Sequence, residues 1–132
     1  MRVEIVEKEL SYKVVQAAYE VFNGLGPGFL EKIYEEAMVL VLRENGHTVE
    51  VQKSVPIKFR GKRIGIHVLD IVVDGRIILE LKAVSEIAQL HKQQALSYLK
   101  ATGLPLALVI NFGAHRLQVI RVVNTKQKVK TA

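Results

Sequence analysis

Two runs rich in Val, Ile and Leu, residues 68–73 and 76–82, meet at Asp74-Gly75, and this arrangement predicts an antiparallel hairpin. Side chains two residues apart share a face of a strand, so Glu80 and Lys82 point the same way. Asp70 joins them only for some turns. A two-residue loop Asp74-Gly75 would pair Val73 with Arg76 and send Asp70 and Glu80 to opposite faces. A three-residue loop Val73-Asp74-Gly75, with Gly75 left-handed, pairs Asp70 with Ile78 instead. Asp70, Val72, Ile78, Glu80 and Lys82 then share one face, and Leu69, Ile71, Val73, Ile77, Leu79 and Leu81 form a wholly apolar opposite face. A sheet covered by helices requires such a face, so the longer loop is the one expected.

The same patterning lays out the rest of the chain. Val14, Val15, Ala18, Val21 and Phe22 recur at helical spacing, predicting a helix from about Glu7 to Phe22 that stops at Asn23-Gly24. Gly24 to Gly28 lacks the Gly-Lys-Ser/Thr of a phosphate-binding loop and reads as a connector. A second helix spans about Phe29 to Glu44, with Leu30, Ile33, Ala37, Met38, Val41 and Leu42 inward and Asn45-Gly46 as its stop. Thr48 to Phe59 alternates as a strand with an irregularity at Lys53 to Pro56, and Arg60 to Arg63 turns it toward the strand of Asp70. Ser85 is placed to cap a helix reaching Thr102, ended by Gly103 and Pro105. Leu106 to Phe112 and Leu117 to Val123 read as strands around a turn at Gly113-Ala114. Residues 1–124 form one expected domain, and residues 125–132, with three lysines, are expected to fray.

Composition narrows the chemistry. The chain has 132 residues, 49% hydrophobic and 24% charged, which is ordinary globular usage for one core. It has no cysteine, so neither disulfide nor thiolate chemistry is available. Four histidines without an HxxxH spacing argue against zinc and leave oxygen ligands for any metal. No apolar run is long enough for a membrane span, and the start lacks a signal-peptide pattern, so a cytoplasmic protein is expected. A net charge of +6 suits a polyanion partner. Lys58, Arg60, Lys62 and Arg63 are the densest basic cluster; they read equally as charges guarding an edge strand and as a phosphate-contacting flank.

Asp70, then nine residues, then Glu80-Leu81-Lys82 resembles the PD-(D/E)xK nuclease superfamily. Gly28-Phe29-Leu30-Glu31-Lys32-Ile33-Tyr34 matches the signature of its small GxxExxY branch, and Gln94-Ala95-Leu96-Ser97-Tyr98 is similar to the QxxxY motif of exonuclease-like members. The likeness continues through Leu108 to Gly113. Leu69 stands where the superfamily name has Pro, and Lys92 where many relatives carry an acid.

The resemblance implies a restriction-endonuclease-like α/β sandwich with a mixed central sheet flanked by helices. It also implies a nuclease using Mg²⁺ or Mn²⁺. Asp70 and Glu80 would be ligands, with the Leu81 carbonyl and Glu31 completing or supporting the shell; Lys82 would orient the attacking water, and Gln94 would position water or phosphate. On spacing alone, Glu31 is also explained as a first-turn acid favouring the helix dipole. His91, Gln94 and Tyr98, at i, i+3 and i+7, are likewise explained as a polar surface stripe. Tyr34, His91 and Tyr98 are the expected supporting residues. The expected partners are DNA or RNA and a second copy of the chain, with no membrane. The competing readings are a nucleic-acid-binding module without turnover and a regulatory or interaction protein with a vestigial nuclease fold.

Overall fold

The computed structural model describes residues 5–124; the lysine-rich segment 125–132, expected to fray, lies outside the described residues. Within them the order is α1 (Lys8–Leu25), α2 (Glu31–Glu44), β1 (Val49–Phe59), β2 (Lys62–Val73), β3 (Ile77–Lys82), α3 (Gln89–Thr102), β4 (Leu106–Asn111) and β5 (Gln118–Val123). The strands form a single sheet in sequence order, antiparallel except for the parallel pair β3 and β4, which α3 connects. This is a mixed α/β sandwich of the restriction-endonuclease type, as expected.

Both faces of the sheet are covered. Ile71, Val73, Ile77, Leu79, Leu81, Leu106, Leu108 and Ile110 pack with α1 and α2, while Val72, Ile78, Ala107 and Val109 pack with Ala95 and Leu99 of α3. β3 and β4 are therefore buried on both sides, which explains their nearly continuous apolar runs. β1 lies at one edge, where Pro56 is tolerated opposite Ile66 because a proline has no N–H to give a central ladder.

Several local expectations are corrected. α1 continues past Asn23 and Gly24 and ends at Gly26, whose positive φ of 72° needs a residue without Cβ and whose N–H reaches Phe22 O. α2 starts two residues late and is rotated: Leu30 and Ile33 are 79% and 41% exposed, whereas Tyr34, Glu35, Met38 and Leu42 are buried. Only one face of α2 meets the sheet, and a Tyr34, Met38, Leu42 stripe at i, i+4, i+8 fills it. α3 begins at Gln89 rather than at Ser85. The irregularity in β1 falls not at Lys53 to Pro56, which are paired throughout, but at Gln52 and between Ile57 and Lys58.

Candidate functional site

The site grows from the β2–β3 hairpin. Asp74 and Gly75 both take positive φ, 52° and 63°, and Arg76 N–H closes the turn on Val73 O at 2.9 Å, as in the primed hairpin turns. Asp74 is held there from outside the hairpin. Its carboxylate accepts from Thr48 N–H at 2.8 Å and meets His47 Nδ1 at 2.9 Å. Burial opposes its ionisation, but these bonds outweigh that and lower its pKa.

A three-residue loop does form, one place further along than expected: Asp74, Gly75 and Arg76 lie between Val73 and its partner Ile77. Val72, not Asp70, therefore faces Ile78. The difference of two in register keeps the alternation, and continuing it sets Asp70 across from Glu80. The strands part there. Asp70 Oδ2 instead accepts the Leu81 N–H at 3.0 Å, so a side chain takes over where the ladder stops.

The opposite face is not uniform either. Leu69 packs with α3 in the same cluster as Val72, whereas Ile71 and Val73 face α1 and α2. β2 thus reverses its faces at Asp70. The reversal coincides with a gap in the β1–β2 ladder, which runs from Val51 with Ile71 to Lys53 with Leu69 and leaves out Gln52 and Asp70, one residue on each strand, without a shift of register; Gln52 has a φ of +52°. A left-handed non-glycine is held only where its surroundings over-determine it. Here the Gln52 amide donates to both carboxylate oxygens of Glu35 at 3.1 Å.

The electrostatics are those of crowded acids. Glu80 is only 4% exposed, and its Oε1 has no hydrogen-bond partner. Burial first and the Asp70 charge second push its pKa up to about 8, against Lys82 and the Asp70 N–H. Lys82 Nζ stands 3.8 Å from Glu80 Oε2, long for an ion pair. Burial also raises Asp70; the charges of Glu35 and Glu31 add to it, while the Leu81 N–H and Lys82 oppose it. Among the described residues no three Asp, Glu or His side chains converge as a ready metal cage. One buried carboxylate, Glu80, one half-buried carboxylate, Asp70, and the backbone around Leu81 are what is brought together, an all-oxygen donor set suited to a hard divalent cation.

The other expected site residues fall into two groups. Tyr98 is near the acids: burial, then the charges of Glu80 and Asp70, raise its pKa. Gln94 lies one turn earlier on the same helix, half-buried, and Glu31 is exposed at the start of α2 yet close enough to raise both Asp70 and Glu80. Tyr34 and His91 are committed elsewhere. The Tyr34 hydroxyl donates to Gly26 O at 2.6 Å and accepts from Phe29 N–H, while its ring stacks on Phe112 at 4.5 Å. His91 Nδ1 accepts the Ala88 N–H at 3.0 Å and closes the first turn of α3. Lys58, Arg60, Lys62 and Arg63 are all exposed at the far end of the β1–β2 hairpin.

Sequence reasoning missed Glu35, the stronger of the two α2 acids acting on Asp70. Its spacing of four from Glu31 was the available signal, since i and i+4 share a helix stripe. It also missed Asn111 and Gly113, which fix the chain leaving Lys82. The Asn111 amide accepts from Val84 N–H at 3.0 Å and donates to Val84 O at 2.8 Å. Gly113 sits so close that a Cβ there would lie 2.5 Å from Ala83 C and Val84 N.

Comparison with known proteins agrees with this geometry. No curated protein matches the chain. The crystal structure of SSO0001 superposes with a TM-score of 0.53 at 19% identity, over 89% of this chain and 57% of that one. This chain thus spans little more than half of that protein, and the likeness speaks for the fold. The family model described as the PD-(D/E)XK nuclease superfamily matches residues 8–122, from the first turn of α1 into β5 and through the hairpin that joins Asp70 to Glu80, and the chain belongs to that superfamily.

Proposed function

We propose that the chain is a nuclease of the GxxExxY branch that hydrolyses phosphodiester bonds of DNA or RNA in the cytoplasm, with Mg²⁺ or Mn²⁺ at Asp70 and Glu80. The observation that carries this reading is the buried Glu80 carboxylate, one oxygen unpartnered, beside an Asp70 whose charge opposes its own. Two such acids are relieved by a cation between them, and oxygen ligands suit Mg²⁺ and Mn²⁺. A cation bound there would neutralise charge on the scissile phosphate and lower the pKa of a bound water. The Leu81 carbonyl and Glu31 complete or support the shell. Lys82 orients the attacking water and offsets developing negative charge. Gln94 positions water or phosphate, with Tyr98 beside it. Lys58, Arg60, Lys62 and Arg63 meet the phosphate backbone. The oligomeric form proposed is a homodimer, because Ile64, Ile66 and Val68 leave an apolar row 67, 49 and 47% exposed along β2; a monomer in sedimentation would set this aside.

Cleavage assays and metal calorimetry on variants test the assignment. Asp70→Asn and Glu80→Gln abolish both cleavage and Mn²⁺ uptake, because they remove ligand charge with little change of shape. Nucleic-acid binding survives in both. Lys82→Ala keeps the metal and lowers turnover by about 10²-fold, the usual scale for losing one group that stabilises developing charge. Glu31→Gln falls between wild type and the ligand variants. A wild-type protein that binds nucleic acid but takes up no cation and cleaves nothing would be a binding module instead.

A further inference from the structure

Between α3 and the β1–β2 hairpin lies a cavity of about 460 Å³ whose walls include Lys58, His67, Ser97 and Lys100. No carboxylate lines it among the described residues. The two walls are tied together next to the cavity, since Val55, the ladder partner of His67, and Leu69 two residues further on pack on Ala95 and Leu99 of α3. Its polar groups are arranged by their partners. Ser97 Oγ donates its one proton to Gln94 O at 2.6 Å, so its 3.3 Å contact with His67 Nε2 is donated by the ring. The imidazole also meets the Tyr98 ring edge-on, with centroids 4.4 Å apart. Tyr98 in turn feels the charges of Glu80 and Asp70, so the ring that His67 touches lies within electrostatic reach of the acidic site.

Two ammonium groups on the walls of an acid-free cavity favour an anion, and lysine is a natural point-charge partner for phosphate, while the Ser97 and His67 protons are spent on Gln94 O and Ser97 Oγ and hold the wall between them. We propose that this cavity is a phosphate subsite for the nucleic-acid strand, holding a backbone phosphate that flanks the one placed at Asp70 and Glu80. The subsite rests on the nuclease reading for its ligand. It shares Lys58 with the basic hairpin end but is concave and adds Lys100 of α3, the helix that carries Gln94 and Tyr98. Backbone contacts of this kind position the strand without reading its sequence.

The test compares Lys100→Ala, alone and combined with Lys58→Ala, with a charge-matched control, Lys8→Ala/Lys13→Ala, on α1 across the sheet. The loss on Lys100→Ala alone is the one that reports the cavity, since Lys58 also belongs to the hairpin cluster. Oligonucleotide affinity is measured by fluorescence anisotropy without metal, from about 50 to 200 mM salt. With duplex DNA, the slope of log K against log salt becomes shallower by about 0.9 for each phosphate that the protein no longer neutralises. The affinity loss is equal for unrelated sequences, Mn²⁺ uptake is unchanged, and the control pair keeps the wild-type slope. In wild type, the His67 ring signals in NMR shift with an oligonucleotide but not with inorganic phosphate or a 5′-mononucleotide at equal phosphate concentration. An unchanged slope, the same loss in the control pair or unmoved His67 signals would overturn the proposal. Equal shifts with inorganic phosphate or the mononucleotide would assign the cavity to a free phosphate and overturn the strand subsite. The two readings fail separately: the nuclease reading falls if Asp70→Asn still cleaves, the subsite if Lys100→Ala changes nothing.

Discussion

Glu80 illustrates how much a single carboxylate can be asked to carry. An acid whose pKa rises on folding holds a proton in the native state that the unfolded chain has already released. The metal-free protein therefore loses stability as pH climbs from the ordinary glutamate value of 4.5 toward about 8. Asp70, also raised, acts in the same direction. A tenfold difference in proton affinity between the folded and unfolded chain corresponds to about 1.4 kcal/mol. Thermal unfolding in EDTA should accordingly show a Tm that falls across this range, and Glu80→Gln should flatten the fall. Mn²⁺ should reverse the trend, stabilising more at pH 8 than at pH 5.5, because cation ligation needs deprotonated carboxylates. A Tm independent of pH in EDTA would mean that Glu80 has a partner in solution that relieves it. Tyr34 makes the opposite point at this scale. Within the GxxExxY signature it is Glu31 that reaches the acids electrostatically, while the tyrosine locks the connector before α2 and stacks beneath Phe112, whose N–H holds Lys82 O at 2.9 Å.

At the scale of elements, the loop after β3 decides where Lys82 ends. Asn111 grips both backbone groups of Val84, and Gly113 packs against the same segment. In Gly113→Ala the new methyl meets backbone, not a flexible side chain, so the loop must shift. A destabilisation of about 1–3 kcal/mol is expected. Turnover should fall further than Lys82-independent metal binding does, measured on protein that circular dichroism shows to be folded. The periodicities in the chain made all eight elements legible, because β3 and β4 are buried on both faces and the helices carry apolar stripes. What local pattern could not supply was orientation that depends on distant partners. The reversal of β2 at Asp70 coincides with a left-handed Gln52 on the next strand, which Glu35 holds from another element, and no alternation in residues 62–73 announces it. Leu30 and Ile33 fit a helical stripe as well as Tyr34 does; only the sheet's position selects between them. Gly113 reads as an ordinary turn glycine until Ala83 and Val84 are seen against it. Asp70, Glu80 and Lys82 were legible as candidates because each is a charged residue set in an otherwise apolar run, with Lys82 closing β3.

Across the whole molecule, the sheet is not equally deep. β3 and β4 lie between two helical layers, whereas Lys62 to Asp70 of β2 pair with β1 alone, the residues beyond β3 forming a two-stranded ribbon. Val55 and Leu69 tie its base to α3, and past Ile57 the ladder shifts and its outer residues are largely exposed. Protection against amide hydrogen exchange should therefore be graded along a single strand. Ile71 to Val73 should exchange only through global unfolding, together with Ile77 to Lys82 and Leu106 to Asn111, while Lys62 to Ile66 should exchange through local opening that leaves the rest intact. This gradient belongs to the monomer; at concentrations where the homodimer proposed through Ile64, Ile66 and Val68 forms, the outer residues should gain protection, and uniform slow exchange in a monomer would overturn the gradient. One and the same strand is thus held in two ways: its inner third keeps an acid fixed against β3, and its outer end is supported by β1 alone. Asp70 marks the border between them, so displacement of the outer ribbon need not disturb the hold of Asp70 on the Leu81 N–H.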